Sequence, residues 1–209
     1  MFPAMADLIT SEDSNSPEDQ AELKEARNTT AKLFDTKLFS DVTFIVKGVE
    51  FRAHKNILST RYVYFEILFS ERHETEKEVT MHGIKPEVFK IVLEFIYKGQ
   101  LSDWKEKMEK HADDLIKAAD MYGIHGLRNK CEKYIIRSGK IDVESACDYF
   151  ILADTRNAPK LKDAALTFIS KNLEGVKKTD GYIEFKRHRT SPADVVETLS
   201  PSKRPKLLD

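Results

Sequence analysis

At 209 residues, 41% of them hydrophobic, the chain can bury a real core, and its length fits one domain with an appended piece. Thirty-four basic against 35 acidic residues leave a net charge of -1, a balance that predicts no nucleic-acid surface over the whole protein. Cys131 and Cys147 lack the Cys-x-x-Cys or Cys/His spacing of a zinc site, the first ten residues do not read as a secretory signal, and no apolar run is long enough to span a bilayer, so a protein with reduced thiols inside the cell is expected.

Residues 1–22, which include Ser11-Glu12-Asp13-Ser14-Asn15-Ser16-Pro17-Glu18-Asp19, are polar and acidic and are expected to be disordered. Leu23, Ala26, Thr30 and Leu33, with Phe34 beside them, make a thin stripe that predicts a helix over 21–34. Val42, Phe44 and Val46 then alternate with Thr43, Ile45 and Lys47, the period of a strand with one buried face. Lys47-Gly48 supplies a turn, and Val49, Phe51 and Ala53 read as the second strand of a hairpin. Ile57 and Leu58 fit a short helix, and Phe65, Leu68 and Phe69 fall on one face of another.

Ser70–Lys77 is a charged loop, followed by a short strand carrying Val79 and Met81. Pro86 opens a helix whose apolar arc of Val88, Phe89, Val92, Leu93, Phe95 and Ile96 places it centrally, and Gly99 stops it. Residues 100–110 read as an exposed connector with one short strand, in which Trp104 is a half-buried cover. A helix over 111–122 buries Leu115, Ile116, Ala119 and Tyr122; another over 126–136 buries Leu127, Cys131, Tyr134 and Ile135. Asp142 N-caps a helix running to Asp154, and Asn157-Ala158-Pro159 starts a further one with Leu161, Ala165, Phe168 and Ile169 inward. Residues 181–190 read as a short strand or loop and 192–199 as a weak last helix.

Ser40-Asp41-Val42-Thr43-Phe44 followed by Glu50-Phe51-Arg52-Ala53-His54-Lys55-Asn56-Ile57-Leu58 resembles the signature of BTB/POZ domains. Matches continue in order through Pro86-Glu87-Val88-Phe89, Phe95-Ile96-Tyr97-Lys98-Gly99 and Ala112-Asp113-Asp114-Leu115. The resemblance covers roughly residues 24–175 and is closest to the speckle-type POZ protein group, whose members carry a substrate-binding β-sandwich, the MATH domain, that this sequence lacks. It implies an α+β BTB/POZ fold over 23–137, a small β-sheet flanked by helical hairpins. A short all-helical BACK-like extension over 138–175 and a C-terminal segment over 176–209 follow.

The same resemblance implies a dimer with itself or another BTB protein. The matching interface positions are Leu23, Ala26, Thr30, Leu33 and Phe34 of the first helix, with Asp41, His54, Lys55 and Ile57 around a charged pocket. The residues themselves leave two alternatives open: a first helix that packs only on its own domain, and an Asp41 pairing that only fixes local structure. Many members recruit the cullin scaffold of a ubiquitin ligase, and the face that does so maps to Glu71, Arg72, His73, Glu74 and Thr75, with Tyr97, Lys98 and Tyr122. Relatives present an apolar anchor in that loop, but here no large aliphatic side chain is present, so His73 or Thr75 would substitute and the contact is expected to be weakened.

No constellation of an enzyme stands in the sequence: there is no Gly-rich phosphate loop, no Gly-x-Ser-x-Gly and no His-Glu-x-x-His. Asp113 and Asp114 point about 100° apart on a helix and cannot serve one site; their expected role is solvation and helix N-terminal charge. No cofactor, metal, membrane or small-molecule substrate is expected. Lys203, Arg204, Pro205 and Lys206 fit a short nuclear-import address, which places the protein in the nucleus, the cytoplasm or both. The chain therefore reads as a dimeric adaptor of a cullin-RING ligase or, alternatively, as a dimerisation module that modulates full-length BTB proteins.

Overall fold

The computed structural model describes residues 17–71 and 76–188. β1 (Val42–Val46) is the middle of a three-stranded sheet, antiparallel to β2 (Val49–Ala53) and parallel to β3 (Glu78–Met81). The hairpin closes on the Val46–Val49 pair, with both turn residues left-handed: Lys47 at φ 49° and Gly48 at φ 82°. That is the turn whose twist matches the flanking strands, and it favours Gly, Asn or Asp. Val42, Phe44 and Val46 are fully buried as their alternation requires. β2 obeys the pattern less: Ala53 is buried and Phe51 half-buried, but Val49 is exposed at the turn end of this edge strand.

Phe44 is the centre of the core. Its ring packs edge-on against Phe65 and Phe89 at centroid distances of 6.0 and 5.3 Å. Those partners arrive on α3 (Val63–Glu71), which follows α2 (Lys55–Arg61), and on α4 (Pro86–Lys98). Every residue of α4 from Ile91 to Tyr97 is buried, in keeping with its broad apolar arc. Gly99, at φ 68°, ends α4 with its N–H on the Phe95 carbonyl at 2.8 Å.

α1 (Pro17–Thr36) lies against α4. It takes in residues 17–22, which composition placed in the disordered segment, and Pro is well suited to a helix start. α5 (Trp104–Met121) replaces most of the expected connector and its strand, so that only residues 100–103 remain non-helical. Met108 is fully buried one turn before Ala112 and two before Leu115, and this anchor was hidden among Lys105, Glu106, Lys107, Glu109 and Lys110. Asp113 and Asp114 therefore sit inside α5, and not at a helix N-terminus. Trp104 stays 38% exposed, its ring edge-on to Tyr134 of α6 (His125–Arg137).

A second helical module follows. Asp142 and Ser145 bond reciprocally: the Ser145 N–H donates to Asp142 Oδ1 at 2.8 Å, and the Asp142 N–H donates to Ser145 Oγ at 3.1 Å. These bonds close the turn before α7 (Ala146–Thr155), so the helix starts later than expected, with Ser145 and not Asp142 at its N-cap; α7 pairs with α8 (Pro159–Lys171). After the single turn α9 (Leu173–Val176) comes α10 (Asp180–Arg187), where a strand or loop was expected. Tyr182 and Phe185, one turn apart, bury against α7 with Phe185 edge-on to Phe150 at 5.1 Å, and that packing makes the segment helical. The expected helix over 192–199 lies outside the described residues.

Candidate interaction site

The end of the sheet that carries Asp41 and Ala53 holds most of the residues singled out by motif. Asp41 Oδ1 accepts the backbone N–H of Lys55 at 2.8 Å, so the carboxylate satisfies one of the orphan donors at the start of α2. The Lys55 ammonium sits 5.5 Å from the centre of the Phe69 ring.

His54, only 5% exposed, is held on three sides. Its backbone N–H donates to Tyr97 Oη at 2.8 Å, Nδ1 lies 2.8 Å from the same oxygen, and Nε2 lies 2.6 Å from the Leu38 carbonyl. A phenol has a single proton. With Oη already accepting from the amide, that proton goes to Nδ1, and Nε2 carries the hydrogen given to Leu38. Burial raises the Tyr97 phenol to about 12, only partly opposed by the His54 N–H, so the hydroxyl stays protonated.

The anchored carbonyl lies in an unusual segment. Lys37 at φ 55° and Phe39 at φ 60° are left-handed without being glycine. Leu38 is 58% and Phe39 90% exposed, which places two large apolar side chains in solvent at the end of α1. Sequence periodicity missed both, because they belong to neither a helix face nor a strand face.

On α1, Thr30 Oγ1 donates to the Tyr97 carbonyl at 2.9 Å, and Leu33 and Phe34 are half-buried against the core. The Phe34 ring meets Tyr97 and carries Lys37 3.8 Å from its centre. Burial lowers the Lys37 pKa, with Asp35 opposing. Lys98 binds Asp35 at 2.9 Å. This end of α1 thus packs on its own domain; the side chains of Leu23 and Ala26 are not among those described. Ile57 is half-buried on the core.

The second set of motif residues divides differently. Tyr97 and Tyr122 are 1% and 0% exposed, so neither presents a surface to a scaffold, contrary to their placement on the cullin face. Tyr122 stacks on Phe65 and meets Tyr64 edge-on at 4.8 Å; burial raises its phenol well above the ordinary range, and its Oη has no hydrogen-bond partner. Both tyrosines belong to the core of the domain. Arg72, His73, Glu74 and Thr75 lie outside the described residues, as do Lys203, Arg204, Pro205 and Lys206; Glu71 ends α3. At the start and in the middle of α3, Val63 and Ile67 are 66% and 49% exposed, a pair that the motif did not name.

The second module is fixed to the first by polar contacts. Glu132 of α6 is completely buried and accepts the Leu161 N–H of α8 at 3.0 Å. Asp120 of α5 accepts from Asn157 Nδ2 at 3.0 Å and lies near Arg128 and Arg156. Tyr149 donates to Asp113 at 3.3 Å.

No group of three or more His, Cys, Asp or Glu that could hold a metal occurs among the described residues, and none of their helices is long and apolar enough to cross a membrane. Cys131 and Cys147 are free and buried, and burial pushes their thiols up to about 12 and about 11.

A family model for the BTB/POZ domain matches residues 30–139. The chain belongs to the BTB/POZ family. It is 35% identical over 184 residues to mouse TD and POZ domain-containing protein 4, covering 85% of this chain and 48% of that protein. It is also 35% identical over 170 residues to BTB/POZ and MATH domain-containing protein 6 of Arabidopsis thaliana, covering 74% of this chain and 40% of the relative. The chain thus spans less than half the length of either. Among solved structures, the BTB domain of zebrafish PATZ1 is similar at 29% identity, with a TM-score of 0.43 over 58% of this chain and 94% of that one. BTB domains are protein-interaction modules that form homo- and heterodimers, and the fold described above is theirs.

Proposed function

We propose that this BTB protein is a dimeric adaptor that brings a target to a cullin-RING ubiquitin ligase. The observation that carries the reading is the seating of the second helical module on the first: α8 on α6 through Glu132, and the α7–α8 connection on α5 through Asp120. A scaffold gripping the rim of the BTB domain would meet a helical pair already held in place, at no further ordering cost. The exposed pair Val63 and Ile67, one turn apart on α3, offers apolar area that such a partner could cover. Titration against the N-terminal domain of a cullin tests it: submicromolar affinity supports the adaptor, and no binding at tens of micromolar removes it.

A second reading rests on Leu38 and Phe39, whose exposure favours pairing with another BTB domain. In that case the chain modulates full-length BTB adaptors by forming mixed dimers and contributes little to cullin binding. Mixed dimers on co-expression, together with a silent cullin titration, would select it. On either reading the basic tail at Lys203–Lys206 acts as the nuclear address.

A further inference from the structure

At the opposite end of the sheet from Asp41, a pocket of about 290 Å³ opens where the β1–β2 turn, the β3–α4 loop and the last turns of α5 meet. Its floor is apolar: Ile84, Val88 and Ala118 are all nearly buried. Met121 forms a wall and is 44% exposed, an adaptable side chain facing solvent. Lys47, Lys85 and Lys117 stand around the rim, and Asp114 is the one carboxylate among the lining residues. Lys85 Nζ lies 2.8 Å and Lys117 Nζ 3.9 Å from Asp114, so one negative charge is shared by two lysines, and the rim stays positive. Lys47 occupies a left-handed turn position that Asn or Gly would fill without strain. The chain carries a lysine there at a conformational cost, and that lysine faces the pocket.

We propose that this pocket docks an acidic peptide segment of a partner protein, one leucine-sized side chain entering the pocket while flanking carboxylates meet the lysines. Size and charge select this occupant. The volume lies at the lower bound of small-molecule sites and admits a leucine side chain with room to spare. Carboxylates on either side of that residue would form charge-assisted hydrogen bonds with Lys47 and Lys117. The proposal does not rest on the cullin reading, since it is argued only from the lysines and apolar floor of this pocket.

The test measures fluorescence anisotropy of a labelled peptide, Glu-Asp-Glu-Leu-Asp-Glu-Asp, against the full chain. Binding that weakens with added salt is expected, with a loss of about tenfold or more for the double variant Lys47→Glu, Lys117→Glu and for a probe carrying Ser in place of Leu. Lys47→Asn separates charge from folding: it should raise the melting temperature, by relieving the turn, while weakening the peptide. Equal binding by the charge-reversed protein, equal binding of the Ser probe, or no binding at millimolar peptide would overturn the proposal. Displacement of the probe by phosphatidylserine vesicles or by a peptide of residues 1–16 of this chain would also overturn it, in favour of a membrane or of the chain's own acidic segment.

Discussion

Tyr97 Oη stands 2.8 Å from both the backbone nitrogen and the Nδ1 of His54, so one hydroxyl spends its acceptor and its donor on the same residue. Through the other ring nitrogen, His54 holds the Leu38 carbonyl. Helix α4, the end of strand β2 and the segment after α1 are thereby tied at one buried point. Tyr97→Phe removes the oxygen and leaves a buried amide and a buried imidazole nitrogen without partners. The expected cost is about 1–3 kcal/mol, read from urea unfolding. Because the Leu38 anchor loosens with it, the variant should also dimerise more weakly in sedimentation.

Phe39→Asp should separate association from stability. The side chain is 90% exposed, so the protomer loses almost nothing on unfolding in denaturant. If Phe39 is buried by a second BTB domain, the dimer should weaken by about 1.5–3 kcal/mol per protomer, roughly a hundredfold or more in the dissociation constant. Sedimentation across a concentration series checks it, and an unchanged constant would remove Phe39 from the interface.

Glu94 gives a pH dependence of known sign. Burial acts to raise its carboxyl, but Lys107 at 2.5 Å and the Ser102 hydroxyl and N–H at 2.6 and 3.0 Å together outweigh it and hold the carboxyl below its ordinary range. A carboxylate depressed on folding stabilises the native state above its unfolded pKa, and that contribution is lost as pH falls through the lower, folded value. Stability should therefore decline on acidification below the ordinary carboxylate range. Glu94→Gln should lower stability at neutral pH by about 1–3 kcal/mol and flatten that part of the profile, as measured by thermal melts at a series of pH values.

Glu132 reports on the second module. Removing its carboxylate by Glu132→Ala leaves the Leu161 N–H unsatisfied at the start of α8 and opens a small cavity beneath it. A loss of about 1–3 kcal/mol is expected. It should appear in hydrogen exchange as faster opening of α7 and α8, with Phe44 and its neighbours as well protected as before.

Much of this architecture is legible in the residue order because it depends on short-range physics. Phe44 alternates with polar neighbours, Lys47-Gly48 can only turn, Pro86 and Gly99 bracket an apolar arc, and each of these acts within a few residues. Two kinds of feature escaped that reading. α5 begins at Trp104 because Met108 finds a core to enter, and α10 is helical because Tyr182 and Phe185 find Phe150; both depend on partners distant in the chain. The candidate site divides in the same way. The motif located Asp41, His54, Lys55 and Tyr97, and the structure gave them inward roles: Asp41 caps α2, His54 and Tyr97 lock each other, and Tyr122 belongs to the core of the domain.

By itself, then, the residue order determined the family, the hairpin, the central helix and the residues around which the site is built. Only the tertiary structure decided which of those side chains face solvent, leaving Leu38, Phe39, Val63 and Ile67 outside and Tyr97 and Tyr122 within. Periodicity tells which residues share a face of one element, whereas exposure is set by whatever other element covers that face.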